Sequence, residues 1–197
     1  MQGLDFLGSP VIADVTGDGQ TEIINGGDSS AVHGFTDTGA QAAGFPKFFS
    51  GWNLWAPSAG DLLSNGHTAI VTLSREGYVF AWSTPGVASG NNEWWHADHD
   101  ERNTGTYGVD TRPPGVARNV QWAHNTQATF VAPGDNWYSG TVAKYRVTFL
   151  PSNTIANVLP TGPAGTTQSI AVPAGTTSFT VQATDAAGNL GRPRTVT

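Results

Sequence analysis

Apolar residues in this chain come in short bursts. Each burst in the first half runs four to six residues and is bounded by Gly, Asn, Asp or Pro, and none keeps a helical period. The pattern predicts strands at 11–14, 21–25, 31–36 and 47–50, and again at 57–60, 68–73, 78–83 and 93–96. A different pattern begins after residue 115, with strands predicted at 116–122, 128–132, 143–150, 168–172, 178–185 and 194–197. In that region Phe179, Val181 and Ala183 alternate with Thr180, Gln182 and Thr184, so one face is apolar and the other polar. Gly188 and Asn189 supply a tight hairpin turn shortly afterwards.

The first half repeats itself. Residues 10–39 align without a gap on residues 57–86, an offset of 47 residues (Asp14 to Asp61). Matched pairs include Pro10/Pro57, Asp14/Asp61, Gly19/Gly66, Thr21/Thr68, Ile23/Ile70, Val32/Val79, Phe35/Trp82 and Gly39/Gly86. A period of roughly 40–50 residues made of short strands predicts four-stranded propeller blades, which stack in closed rings of about 4–8. Two blades leave apolar faces and sheet edges open, so further blades or self-association are expected to cover them. The repeat ends at Asp-Thr-Arg-Pro-Pro-Gly (110–115), where paired prolines predict a linker. The expected domains are 1–110, the blades with a closing segment, and 111–197, a β-sandwich.

Composition supports an all-β reading. Charged residues make up 12% against 38% hydrophobic, and Gly (25) and Pro (12) are frequent, as turn-rich sheet proteins require. A net charge of −6 argues against a nucleic-acid partner, which needs clustered Lys and Arg. With no cysteine, neither a disulfide nor a thiolate metal site is available. No apolar run approaches the ~20 residues of a membrane-spanning helix. The opening MQGLDFLG lacks the basic and apolar regions of a signal peptide, so for an exported protein the signal is expected outside this chain.

Several stretches resemble known families. SPVIADVTGDGQTEII, VHGFTDTG and GFPK, with GDLLSNGHTAIVT and EGYVFAWSTPG in the second unit, resemble FG-GAP or VCBS-type propeller repeats. WWHADHDERNTGTYG (94–108) resembles the closing segment after the last blade in such secreted bacterial proteins. RPPGVARNV, PGDNWYSGTVAKYRV and FTVQATDAAGNLGRP resemble a fibronectin type III domain. Phe130 stands where that family has a Trp, and Phe179 where it has a corner tyrosine, so one hydroxyl tie is lost. The resemblance implies an extracellular or cell-surface protein of which this chain is the C-terminal part, with earlier blades ahead of Met1.

The strongest chemical signal is the loop from Asp14 to Glu22. Oxygen donors recur at every second residue: Asp14, Thr16, Asp18, the Gln20 carbonyl and Glu22. Gly17 and Gly19 permit tight wrapping, and calcium takes 6–8 hard oxygen ligands. The family resemblance implies calcium here in a structural role; the other reading is a Gly/Asp turn between two strands. At the twelfth position, where an EF-hand has a bidentate Glu, this chain has Asn25. The matching loop of the second unit offers Asp61, Leu63, Asn65, His67 and Ala69, which predicts a turn that has lost its ion. His96, Asp98, His99 and Asp100 read either as a transition-metal cluster or as a polar closing segment. Trp137 and Tyr138, in a polar loop, are candidates for stacking on a sugar or a protein partner, with packing the alternative. Trp82 and Phe35 are expected in an inter-blade core, and at least one of Trp94 and Trp95 should be buried.

Signs of catalysis are few. There is no Cys nucleophile, no Gly-x-Ser-x-Gly elbow and no phosphate-binding Gly loop followed by Lys. The expected function is a non-catalytic extracellular binding or adhesion module with a structural calcium, its partner a carbohydrate or protein at the cell surface. The alternative is a set of accessory domains of a secreted glycosidase, polysaccharide lyase or peptidase. A quinoprotein-like redox propeller is a weaker third reading.

Overall fold

The computed structural model describes residues 6–27, 30–88, 93–124 and 126–197. Among them the chain is all-β, with fourteen strands in antiparallel sheets, none closed into a barrel. The chain divides into two compact units, Met1–Asp110 and Thr111–Thr197, and the division falls inside the proline-rich stretch.

The first unit contains two sheets. One is β1 (Val11–Ala13), β2 (Glu22–Gly26), β3 (Ala31–Phe35) and β4 (Lys47–Phe48), in that order. The other is β5 (Ser58–Gly60), β6 (His67–Leu73) and β7 (Val79–Val87). The repeat survives as strand register. Val11 pairs Ile24 and Ile23 pairs Phe35 in the first sheet, while Ser58 pairs Val71 and Ile70 pairs Trp82 in the second, each position shifted by 47 residues. The β1–β2 and β5–β6 loops match as well. Gly17 and Gly19 have φ of 83° and 84°, and Ser64 and Gly66, their counterparts, have φ of 55° and 86°. Left-handed backbone at both positions is what the two glycines of the first loop make cheap.

Direct pairing places paired side chains on one face of a sheet. In the first sheet, Val11, Ile24, Val32, Gly34 and Gly26 form a buried face, and Ile12, Ile23, His33 and Phe35 form the opposite one. In the second sheet the burial is inverted. The face of Ala59, Ile70, Thr72, Phe80 and Trp82, equivalent to Ile12, Ile23, Asn25, His33 and Phe35, is the covered one. Val71, Val79 and Ala81 lie on its uncovered side. Asn53 joins the two covered faces. Its side chain fills the space over Gly26 that a Cβ would need, and its Nδ2 donates to Thr72 Oγ1 and to the Leu73 carbonyl. Phe49 meets Phe80 at 5.5 Å between ring centres across the same gap.

The expected fourth strand of the second sheet, 93–96, is a correction. Among the described residues it does not pair with β7. Trp94 exchanges backbone hydrogen bonds with Ile12 (2.8 and 2.7 Å), and the Trp95 carbonyl accepts from Ala59 N (2.8 Å). The segment therefore bridges β1 and β5, the first strands of the two sheets. Trp95 is buried and Trp94 half-buried, as the sequence leads one to expect. β7 is also longer than expected, continuing to Val87 past a register shift.

The second unit is a two-sheet sandwich around one core. One sheet runs β12 (Thr167–Ala171), β9 (Gln127–Val131), β8 (Arg118–His124). The other runs β11 (Thr154–Val158), β10 (Lys144–Leu150), β13 (Ser178–Thr184), β14 (Arg194–Val196). Ala128, Phe130 and Ile170 from one sheet and Tyr145, Val147, Phe179 and Val181 from the other share the core. Phe130 meets Tyr145 edge-on at 4.8 Å, and Trp122 meets Phe179 edge-on at 5.0 Å. The turn at Gly188 forms as expected, with Thr184 bridged to Leu190 and Asp185 capping Asn189 N at 2.7 Å. β11 is absent from the sequence reading.

Candidate functional site

The loop between β1 and β2 is organised by two buried carboxylates. Asp14 Oδ1 accepts from Thr16 N (3.1 Å) and Gly17 N (2.7 Å), and Oδ2 accepts from Gly19 N (3.2 Å) and, at 3.5 Å, from Val87 N. That last donor belongs to β7, so Asp14 ties its own loop to the second sheet. Gly86 allows the approach, because a Cβ there would overlap the Asp14 carbonyl and the Val15 backbone. Glu22, at the start of β2 and 1% exposed, accepts from Val15 N through Oε2 (2.9 Å) and from Thr16 Oγ1 through Oε1 (3.4 Å). Asp18 is exposed and caps Gln20 N (2.9 Å).

Burial pushes the Glu22 carboxyl above the usual carboxylate range. The Val15 N–H pulls the other way, while the charges of Asp18 and Asp14 add to the rise and the Thr16 hydroxyl offsets part of it. Three acidic side chains thus sit within electrostatic reach of one another, with the Thr16 hydroxyl and the Gln20 carbonyl in the same loop. The chemistry of this all-oxygen, triply acidic set fits a hard divalent cation. Their present arrangement is a capping one: each carboxylate is turned onto loop N–H groups, and among the described residues no three His, Cys, Asp or Glu side chains converge as ligands.

The matching loop keeps part of this scheme. Asp61 accepts from Asn65 N (2.9 Å) and Gly66 N (2.8 Å), and Asn65 caps His67 N (3.0 Å) as Asp18 caps Gln20 N. Leu62 and Leu63 are exposed, so the loop is a turn with one carboxylate. A cleft of about 320 Å³ lies beside the first loop, with Thr16, Lys47, Thr84 and Pro85 on its walls.

The polar residues of the closing segment separate rather than gather. His96 Nδ1 lies 2.7 Å from the Ala97 carbonyl, and Asp98 is exposed. His99 and Asp100 are fully buried and paired, Nδ1 to Oδ2 at 3.2 Å, with Thr104 Oγ1 donating to the same carboxylate oxygen at 2.9 Å. The His99 ring is wedged between Trp94 (5.2 Å) and Trp95 (4.9 Å). Asp100 also caps Arg102 N and Thr104 N, so this cluster holds the turn together.

Trp137 and Tyr138 are half-buried, and a guanidinium lies over each ring: Arg112 at 4.2 Å from Trp137 and Arg118 at 4.6 Å from Tyr138. The Trp137 carbonyl accepts from Gly115 N and Gly134 N, both at 2.8 Å. One face of each ring is therefore taken by the protein itself. Asn53 and Arg112, both buried, are structural residues that sequence reasoning missed, since neither sits in a repeated or periodic position. No protein-family model matches the chain, and no curated protein matches it.

Proposed function

We propose that this chain is a non-catalytic extracellular binding or adhesion module. Its first unit reads as two FG-GAP/VCBS-type propeller blades, the second of three strands, and its second unit as a fibronectin type III-like sandwich. The observation that carries the reading is the repeat itself: two consecutive sheets with one register, one loop geometry and part of one capping scheme, 47 residues apart. The 3 + 4 strand order of the second unit supports the sandwich assignment. Buried acids support the scaffold role, since Asp14, Glu22, Asp100 and Asp185 all spend oxygens on backbone N–H groups. A calcium ion would be held by Asp14, Thr16, Asp18, the Gln20 carbonyl and Glu22. When bound, it neutralises the mutual repulsion of the three acids.

Thermal unfolding in calcium and in chelator tests the calcium part. Sites in extracellular modules bind at about 10⁻⁴–10⁻³ M, so ~10 mM calcium should stabilise the first unit by about 1.4–3 kcal/mol. No shift at that concentration would remove calcium from the proposal. Retention of the labelled chain on a cell-surface polysaccharide or protein supports the binding role. Turnover of such a substrate by the purified chain, surviving chelation, would refute it.

A further inference from the structure

The first unit carries a template for its own association. Inside it, the Val11/Ile24/Val32 face of the first sheet is the covered partner of the Ile70/Thr72/Phe80 face of the second, joined through Asn53. The two outer faces are the same two surfaces in reverse. The outer face of the first sheet carries Ile12, Ile23, His33 and Phe35, the positional equivalents of Ala59, Ile70, Phe80 and Trp82. Even the ring stacking repeats: His33 on Phe35 at 5.9 Å and 8°, Phe80 on Trp82 at 6.0 Å and 11°. The outer face of the second sheet carries Val71, Val79, Ala81 and Leu73, the equivalents of Ile24, Val32, Gly34 and Gly26. Ile23 is 46% exposed and Val79 66%; Ile12 and Phe35 are half-buried, and His33 is buried with Phe6 edge-on against it. None of these residues is an Asp, Glu, Lys or Arg, so apolar burial is the available driving force.

We infer that a second copy of this chain docks head to tail. The Ile23 face of one copy covers the Val79 face of the next, reproducing between molecules the sheet-on-sheet contact already present within one. What covers each outer face is read from what covers its equivalent. Such an interface is heterologous, so copies add in a ring or an open series rather than stopping at a two-fold dimer. The inference rests on the repeat and is independent of calcium and of any adhesive ligand.

Solution mass of the full chain tests it, by sedimentation or light scattering in chelator at up to ~100 μM. The wild type should exceed the 20.6 kDa of one chain, either as a discrete ring or as a concentration-dependent series. I23K and V79K, each blocking one face, should both run as single chains, whereas L159K, an exposed change in the second unit, should behave as wild type. An equimolar mixture of I23K and V79K should form a two-chain species and nothing larger, because each variant keeps the face the other has lost. Should I23K fail to fold, F6K blocks the same face, since Phe6 packs edge-on against His33 and Phe35. A monomeric wild type, a V79K that still self-associates, or a mixture that stays monomeric would each overturn the inference.

Discussion

Replacing Asp14 by Asn isolates the role of the loop carboxylate. The amide keeps one oxygen for Thr16 N and Gly17 N but turns an NH₂ towards Gly19 N and Val87 N, which are held by Oδ2 in the native loop. Hydrogen bonds to a charged acceptor are each worth about 1.5–3 kcal/mol, and a buried donor left unpaired costs about 1–3. The bonds share one acceptor group and one is long, so they do not add; a loss of about 2–4 kcal/mol is expected. D61N is the internal control. Asp61 is less buried and accepts only two N–H groups within its own loop, so about 1–2 kcal/mol is expected there. Urea unfolding in chelator, followed by tryptophan fluorescence to which the first unit contributes Trp52, Trp55, Trp82, Trp94 and Trp95 and the second Trp122 and Trp137, reads the loss without any contribution from calcium. With a slope of about 2 kcal/mol per molar urea, D14N should lower the midpoint by roughly 1–2 M and D61N by about half that. A D14N midpoint within ~0.3 M of wild type, or a D61N loss equal to that of D14N, would refute the clamp across the two sheets.

Two further predictions concern buried ionisable groups. The Glu22 carboxyl is raised by burial, so the folded state holds its proton more tightly than the unfolded one, and stability conferred by protonation is lost as pH rises above the ordinary Glu value of 4.5. E22Q should flatten that part of the stability–pH curve in chelator and weaken the response to calcium; an unchanged slope would place the titration elsewhere. Tyr145 is fully buried, its hydroxyl has no hydrogen-bond partner among the described residues, and burial pushes its pKa up to about 12. Y145F should leave the second unit as stable or up to ~1 kcal/mol more stable in denaturant. It should also remove a loss of stability between the ordinary tyrosine value of 10 and about 12, where the unfolded chain ionises and the folded one does not. A clear destabilisation would mean that the hydroxyl has a partner.

Which parts of this molecule were legible in the sequence follows from what strand signals encode. Turn chemistry is local, so Gly17, Gly19, Gly66 and Gly188 marked their bends, and because identical turns sit 47 residues apart the registers had to match. Partner choice is not local. The run Glu93–His96 reads as a strand wherever it pairs, and nothing in Glu-Trp-Trp-His says that its backbone meets Ile12 and Ala59 rather than β7. β11 escaped notice for the opposite reason. It is an edge strand with Ile155 half exposed, and Asn157 within it and Asn153 just before it are residues that favour turns over strands.

The candidate site shows the same division between local and distant information. Oxygens at every second residue are what a calcium loop needs, but they are also what a loop needs to cap its own N–H groups, because carboxylate lone pairs can ligate a cation or accept an N–H hydrogen bond. Spacing alone cannot separate the two. What weights them is the surroundings: Glu22 lies at the end of a covered sheet face, close enough to Asp14 and Asp18 for their charges to raise its pKa. The second repeat has Ala69 in the equivalent place and keeps its Asp61–Gly66 cap, so the turn itself forms without this third acid. The retained, electrostatically costly Glu22 is therefore the residue on which the calcium proposal turns, and E22Q in chelator and in calcium separates its two roles. A variant that is as stable as wild type in chelator but no longer responds to calcium is a lost ligand. One that is destabilised equally in both is a lost cap.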